Sequence, residues 1–406
     1  MILTMPRFTT RSPPNAMPPK TLVVGQSGGP TPVINSSLAG VLAGARGQFP
    51  RVLGLRHGIE GALIDRTVDL SHTSDSDLAA LRRTPAAALG SCRHKLTPEG
   101  YERVLGTFER HNVRWFCYTG GNDSMDTCAR LEQLAQERGY PLSVYGVPKT
   151  IDNDLVGTDH CPGYGSAARY WAIGAQEATR DLDAMQTYDR VLILECAGRN
   201  AGWLTASTAI LRKDDRDAPH VLLLPEVPFE QSDFLRRVET ALSRTGYCVV
   251  ATAETIRDGE GKFVAQSVGG VDRFGHAIVT AVGETLAQLI ERELRVKARA
   301  NKPGTLQRSS MAYASSIDAD EASSAGHAAA GRLAAGDSGK MVTFVRRESE
   351  LYSCDLGAVS LREVANSERQ LPPSFLGDGG ADVTEAFRAY VMPLIGPAPE
   401  PFYRLA

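Results

Sequence analysis

The chain has 406 residues, 42% of them hydrophobic and 22% charged, enough for a sizeable core and for two or three domains. That balance excludes a disordered tail protein, a disulfide miniprotein and a collagen. Lys and Arg total 44 against 47 Asp and Glu, so the net charge of −3 offers no broad positive field, and neither nucleic acid nor membrane is expected as a partner. No apolar run approaches the roughly 18 residues that span a bilayer, so a soluble protein is expected. The seven cysteines (92, 117, 128, 161, 196, 248 and 354) are odd in number and form no CxxC pair. They argue against a disulfide framework and a clustered zinc site, and for reduced thiols in a cytoplasm. The histidines at 57, 72, 94, 111, 160, 220, 276 and 327 show no ligand spacing, and none is assigned to a metal.

Residues 1–20, MILTMPRFTTRSPPNAMPPK, read as a flexible leader. They lack the apolar centre of a secretory signal, and the prolines at 13, 14, 18 and 19 would break the amphipathic helix of a transit peptide. From residue 21 short apolar runs alternate with Gly-rich or polar turns and stretches of helical spacing. The first unit is a strand at Thr21–Val24, a turn at 25–32 and a helix at Val33–Ala45, with apolar positions 34, 38, 41, 42 and 45 on one face. Further strands are expected at Val113–Tyr118, Ser143–Val147, Val191–Leu194, Val221–Leu224 and Cys248–Thr252. Their apolar positions are consecutive, as in parallel sheets covered on both faces, so the fold class is α/β with two doubly wound, Rossmann-like sheets. The charged stretch Glu291–Lys302 reads as a solvated helix face apart from Arg299. Ala314–Gly339 reads as a helix of closely packed small residues, FLGDGGADV as a turn, and Thr384–Val391 as a short helix stopped by Pro393.

In such sheets ligands sit at the carboxyl ends of the strands, so the loops after the apolar runs hold the candidate chemistry. The first loop contains Gly28 and Gly29, which either allow backbone to approach an anion or simply form a tight turn. In the second, Asn122, Asp123 and Ser124 follow two glycines. Asp123 is either a helix N-cap or, with Asn122, a neighbour of a phosphate and its Mg2+. The third, Pro148-Lys149-Thr150-Ile151-Asp152-Asn153-Asp154, packs two carboxylates, an amide, a lysine and a hydroxyl into one connection. That set suits phosphoryl transfer, with Asp152 as base, Lys149 as cation and Thr150 as hydrogen-bond donor. The fourth carries Gly198, Arg199 and Asn200. Arg190, Glu226, Arg299 and Arg308 are each unremarkable alone, but together the arginines match a sugar phosphate.

Taken in order, SGGPTPVIN, GSCRHK, TGGNDS, PKTIDNDL, GYGSA, ECAGRNAGW, PEVPF and PGTLQRS resemble the phosphofructokinase family over about residues 21 to 312. The resemblance implies an active site in the cleft between two domains. Residues 21–164 with 307–335 would bind the donor and Mg2+, 165–306 the sugar phosphate, and 336–406 would form a C-terminal extension packed on the core. It makes Asp152 the base for the 1-hydroxyl of fructose 6-phosphate, with Thr150, Lys149 and Arg199 also catalytic and Asp154 on the same loop. Gly28, Gly29, Arg93, Asn122, Asp123, Ser124 and Lys149 fall on the donor side, and Asn122 and Asp123 beside the metal. Arg190, Ala197, Gly198, Arg199, Glu226, Arg299, Thr305 and Arg308 fall on the sugar-phosphate side. Arg190 and Arg299 would reach in from a neighbouring subunit, implying a homodimer or homotetramer with shared sites.

The donor implied is pyrophosphate. ATP-using members commonly have glycine at the positions of both Asp123 and Lys149; here a carboxylate would repel an ATP α-phosphate and an ammonium would neutralise a terminal phosphate. The resemblance also implies a reversible reaction. Asn122 stands where an aspartate is common, Ala197 replaces a methionine and opens room for sedoheptulose 7-phosphate, and Thr305 replaces a histidine. Other readings are an ATP-dependent 6-phosphofructokinase, the pyrophosphate enzyme acting mainly on sedoheptulose 7-phosphate, a non-catalytic regulatory paralogue, and a lipid or NAD kinase of related fold. The retained base and donor loop oppose the paralogue, and PKTIDND with the arginines opposes the last.

Overall fold

The computed structural model describes residues 18–265, 267–271, 277–279 and 281–404; the expected leader up to residue 17 and His276 lie outside them. In chain order the strands are β1 (Thr21–Gln26), β2 (Arg51–Leu55), β3 (Thr67–Asp69), β4 (Val113–Gly120), β5 (Ser143–Pro148), β6 (Val191–Cys196), β7 (Val221–Leu223) and β8 (Cys248–Ala253). They continue with β9 (Ser267–Val271), β10 (Ala277–Val279), β11 (Ala298–Asn301), β12 (Lys340–Arg346), β13 (Cys354–Ser360), β14 (Leu376–Gly377) and β15 (Asp382–Val383). A seven-stranded sheet has the order β13-β12-β5-β4-β1-β2-β3, and a four-stranded sheet the order β11-β6-β8-β7. The smaller sheet is parallel throughout. The larger is parallel from β12 to β2, with β3 and β13 reversed at its two edges.

The consecutive apolar runs behave as expected of strands buried on both faces. Leu22 and Val24 face one core with Val52, Cys117, Tyr145 and Val147, while Val23 faces another with Leu53, Phe116, Tyr118 and Val144. The smaller sheet divides likewise, Leu192 and Leu194 to one side, Val191 and Ile193 to the other. The α/β reading with two doubly wound, Rossmann-like sheets therefore holds, with antiparallel edges added to the larger one.

The helix Ser316–Ala334 packs its small residues against the helix Ile34–Ala45 at backbone distance: a Cβ on Gly40 would lie 1.9 Å from the Ser323 carbonyl oxygen. Thr384 caps the short helix Glu385–Val391 through the Phe387 amide. FLGDGGADV is the expected turn, joining β14 to β15. The stretch Glu291–Lys302 is a correction. Its helix, Val282–Leu294, stops at Arg295 in a left-handed conformation (φ 56°), and Ala298–Asn301 becomes strand β11 beside β6. Helical charge spacing there competed with backbone pairing to a buried parallel strand, and the pairing prevailed.

The chain after residue 336 does more than rest on the surface. β12 and β13 extend the large sheet, and Leu371, Val383, Phe387, Val391 and Leu394 then join the core beneath the smaller one. Among the described residues no helix is long and apolar enough to cross a membrane.

Candidate active site

The carboxyl ends of β1, β4 and β5 in one sheet and of β6 and β8 in the other open onto a single cavity of about 630 Å³. This is where a doubly wound sheet leaves room for ligands. On the β1 side, buried Gln26 fixes the loop by donating to Asn35 Oδ1 (3.0 Å) and accepting from the Leu89 amide (3.0 Å). Gly28 is left-handed (φ 74°), and a Cβ there would stand 3.0 Å from Lys149 Nζ. A Cβ on Gly29 would stand 3.2 Å from Arg308 Nη1 and 3.5 Å from Arg93 Nη2. The two glycines thus let three cations converge on backbone, and Lys149 Nζ donates to the Gly29 carbonyl at 2.9 Å. None of the three forms an ion pair among the described residues, so their charge is left for an anion. Burial and the neighbouring Arg93 charge lower the Arg308 pKa.

At the end of β4, Gly121 caps the helix Asn122–Glu137 without any side-chain bond. Asp123 is therefore not the cap; it is the second residue of the helix, in its first turn, and is exposed at the cavity. Asn122 Oδ1 accepts from the Asp123 amide at 2.8 Å, and Ser124 is buried beneath.

After β5 the loop turns through Asn153, whose φ of 55° is left-handed and whose side chain is fully buried. It donates to the Tyr390 hydroxyl (3.0 Å) and accepts from the Cys161 amide (3.0 Å). That turn sets Asp152 and Asp154 to either side. The Asp152 amide donates to Thr150 Oγ1 at 3.1 Å, while its Oδ1 is buried without a hydrogen bond among the described residues. Burial, then the negative charges of Asp154 and Glu254, push the Asp152 pKa up to about 7, against the pull of Lys149 and Arg93. Asp154 is raised as well, chiefly by burial and further by the Glu368 charge. Lys149 moves the other way: burial lowers it to about 8 although Asp152 opposes the change. An acid and a base on one loop thus have pKa values drawn toward each other around neutrality, the condition for proton transfer at physiological pH.

From the smaller sheet, Ala197 and Arg199 line the cavity, with Gly198 making the turn between them at φ 117°. Arg199 Nε lies 4.0 Å from Glu254 Oε1. Gln307 Oε1 accepts from the Ala197 amide (2.8 Å) and from Trp171 Nε1 (3.0 Å), tying the loop to the helix Tyr164–Met185.

Four expected sugar-side residues stand apart from the cavity within one chain. Arg190 donates to the Gly246 carbonyl (3.0 Å) and Arg299 pairs with Asp189 (2.9 Å). Glu226 accepts the amides of Gly202 and Leu371, each at 2.9 Å, and Thr305 flanks the wall formed by Gly304, Gln307 and Arg308. The sequence reading missed Glu254, Lys302, Asn366 and Glu368, all of which line the cavity. Glu254 directly follows a strand, a position that flags it; Lys302 is held by buried Glu195 at 2.5 Å. Asn366 and Glu368 come from the tail, which carries no motif. Outside the cavity, His160 lies between Asp159 (2.9 Å) and Glu321 (2.7 Å). Burial alone would lower its pKa, but the hydrogen bonds and charges of those two partners hold it above the ordinary value.

A family model described as phosphofructokinase matches residues 21–332. The chain belongs to the phosphofructokinase family. Within that family, a pyrophosphate-fructose 6-phosphate 1-phosphotransferase of Xanthomonas campestris pv. campestris (strain B100) is 44% identical over 385 residues, 93% of this chain and 92% of that protein. An ATP-dependent 6-phosphofructokinase of Corynebacterium efficiens is 30% identical over 284 residues, 70% of this chain and 78% of that one. The crystal structure of a pyrophosphate-dependent phosphofructokinase from Nitrosospira multiformis superimposes with a TM-score of 0.84 at 37% identity, covering 95% of this chain and 94% of the other.

Proposed function

We propose that this phosphofructokinase-family protein transfers a phosphoryl group reversibly from pyrophosphate to the 1-hydroxyl of fructose 6-phosphate, giving fructose 1,6-bisphosphate and phosphate. The observation that carries the reading is the gathering in one cavity of the cations Lys149, Arg93 and Arg308, none in an ion pair among the described residues, beside an Asp152 whose buried Oδ1 has no hydrogen bond among those residues. The cations take the phosphates. Asp152 takes the hydroxyl proton as the sugar oxygen bonds to phosphorus and the bridging bond of pyrophosphate breaks. Thr150 orients the loop through its bond to the Asp152 amide, and Arg199 neutralises charge from the facing sheet. Gly28, Gly29 and Ser124 belong to the donor wall; Ala197, Gly198 and Asp154 belong to the acceptor wall.

Mg2+ fits the donor end, where the carboxylate of Asp123, without an ion pair among the described residues, would supply a hard oxygen and the phosphates the remainder. Asn122 spends its carbonyl oxygen on its own helix, so the weight of binding falls on Asp123. When bound, the ion neutralises phosphate charge. Pyrophosphate is preferred as donor because the ammonium of Lys149 is buried against Gly29 and the carboxylate of Asp123 faces the cavity, where an inner nucleotide phosphate would meet them.

In this reading 21–164 with 307–335 bind the donor and 165–306 the sugar phosphate. Arg190, Glu226, Arg299 and Thr305 join the sugar site only in a homodimer or homotetramer, or in the case of Glu226 by shaping it from behind. Seven free cysteines, six of them buried, agree with a cytoplasmic protein. The deciding assay supplies fructose 6-phosphate and magnesium with pyrophosphate or ATP, then sedoheptulose 7-phosphate as acceptor. Turnover with pyrophosphate and fructose 6-phosphate is expected, and turnover with ATP alone would overturn the donor.

A further inference from the structure

The tail segment 366–369 lies beyond the residues matched by the family model, yet it touches the donor helix, the catalytic loop and the sugar-side loop in turn. Asn366 Nδ2 donates to Asp126 Oδ1 on the helix Asn122–Glu137 (3.3 Å). Glu368 Oε2 accepts from Asn200 Nδ2 (2.8 Å), and the Glu368 charge helps raise the Asp154 pKa. Arg369 makes the densest set. Its amide donates to the Asp154 carbonyl at 2.7 Å. Its guanidinium donates to the carbonyls of Asn153 (2.9 Å), Thr158 (2.9 Å) and Asp159 (2.6 Å). The same group lies 4.6 Å from the ring centre of Trp203, whose Nε1 donates to the Arg369 carbonyl at 3.2 Å.

We infer that Arg369 is a positioning residue for Asp152, and that residues 366–369 form a strap drawing the three loops of the site together. The inference rests on the function proposed above. A left-handed Asn153 is an uncommon backbone conformation, held only where its surroundings determine it. Arg369 supplies that determination by gripping the Asn153 carbonyl from outside while Tyr390 and the Cys161 amide hold its side chain. The guanidinium fork serves several carbonyls and stacks on an indole at once, which a lysine ammonium does not.

The test compares wild type with Arg369→Lys and Arg369→Ala. In both variants kcat should fall about 100-fold, the cost of a small misplacement of a reacting group, with KM for both substrates little changed. The acid limb of the pH profile should move to lower pH, because a slackened loop admits water to Asp152 and relieves the desolvation that raises its pKa. Amide exchange should quicken in residues 149–155 and stay unchanged in the helix Gln231–Thr245. Wild-type kcat, acid limb and loop exchange in both variants would overturn the inference. So would exchange quickening throughout the chain, which would make Arg369 a general support of the fold. A wild-type protein inert with every donor would refute the proposed function instead, and loop exchange alone would then judge the strap.

Discussion

Lys149 and Asp152 share one loop, and each is driven toward neutrality by the loss of water around it. The free protein should therefore show a bell-shaped dependence of kcat/KM on pH, rising through about 7 as Asp152 ionises and falling above about 8 as Lys149 loses its proton. Initial rates measured on both sides of neutrality check this; an unbroken alkaline plateau would show that the charge on Lys149 is dispensable. The same shift couples to stability. The folded-state pKa of Asp152 lies above the ordinary 3.8, so its contribution is favourable in acid and is lost as pH rises through about 7. Asp152→Asn removes that loss, so its melting temperature should exceed that of wild type in mildly alkaline buffer, while kcat drops by about 100-fold or more. A variant more stable yet nearly inactive separates a missing base from a damaged fold. Paired replacement by Asp123→Gly and Lys149→Gly should raise KM for pyrophosphate and admit ATP, read by coupled assays with each donor. An unaltered donor preference would remove these side chains from the choice.

Elements were legible in the sequence where a single local rule governed them. Consecutive apolar residues marked β1, β4, β5, β6, β7 and β8 because both faces of those strands are buried, and the glycine and Asx-rich loops that follow them came together as expected. Where two rules conflicted the reading failed: in 298–301 a charged, helix-like pattern concealed a strand whose alanines fit beside β6. Side chains of the tail were illegible for another reason. Arg369 meets Asn153 across 216 residues of chain, and Glu368 meets Asn200 across 168, so no local spacing announces either. The small-residue helix is an element whose sequence did speak for its packing. A Cβ on Gly326 would lie 2.1 Å from the Ser37 carbonyl oxygen, against backbone with no flexible end to yield. Gly326→Ala should cost about 1–3 kcal/mol through overpacking, measured as a lower urea midpoint with unchanged slope.

At the scale of the whole molecule, one chain leaves its sugar-phosphate side short of cations. Arg299 is exposed and paired with Asp189, and Arg190 is turned toward Gly246, both away from the cavity. If sites are completed between subunits, Asp152→Asn and Arg299→Ala proteins, each inactive alone, should recover turnover after mixing, unfolding and joint refolding. Inactive mixtures containing verified mixed oligomers would restrict the site to a single chain. The small sheet, the catalytic loop and the tail meet around two of the three tryptophans: Trp171 is bonded to the cavity wall through Gln307, and Trp203 lies under the guanidinium of Arg369. Indole emission is quenched or shifted by such neighbours, so filling the cleft with phosphates should register directly in the intrinsic fluorescence, giving the molecule its own optical gauge of occupancy without any attached dye.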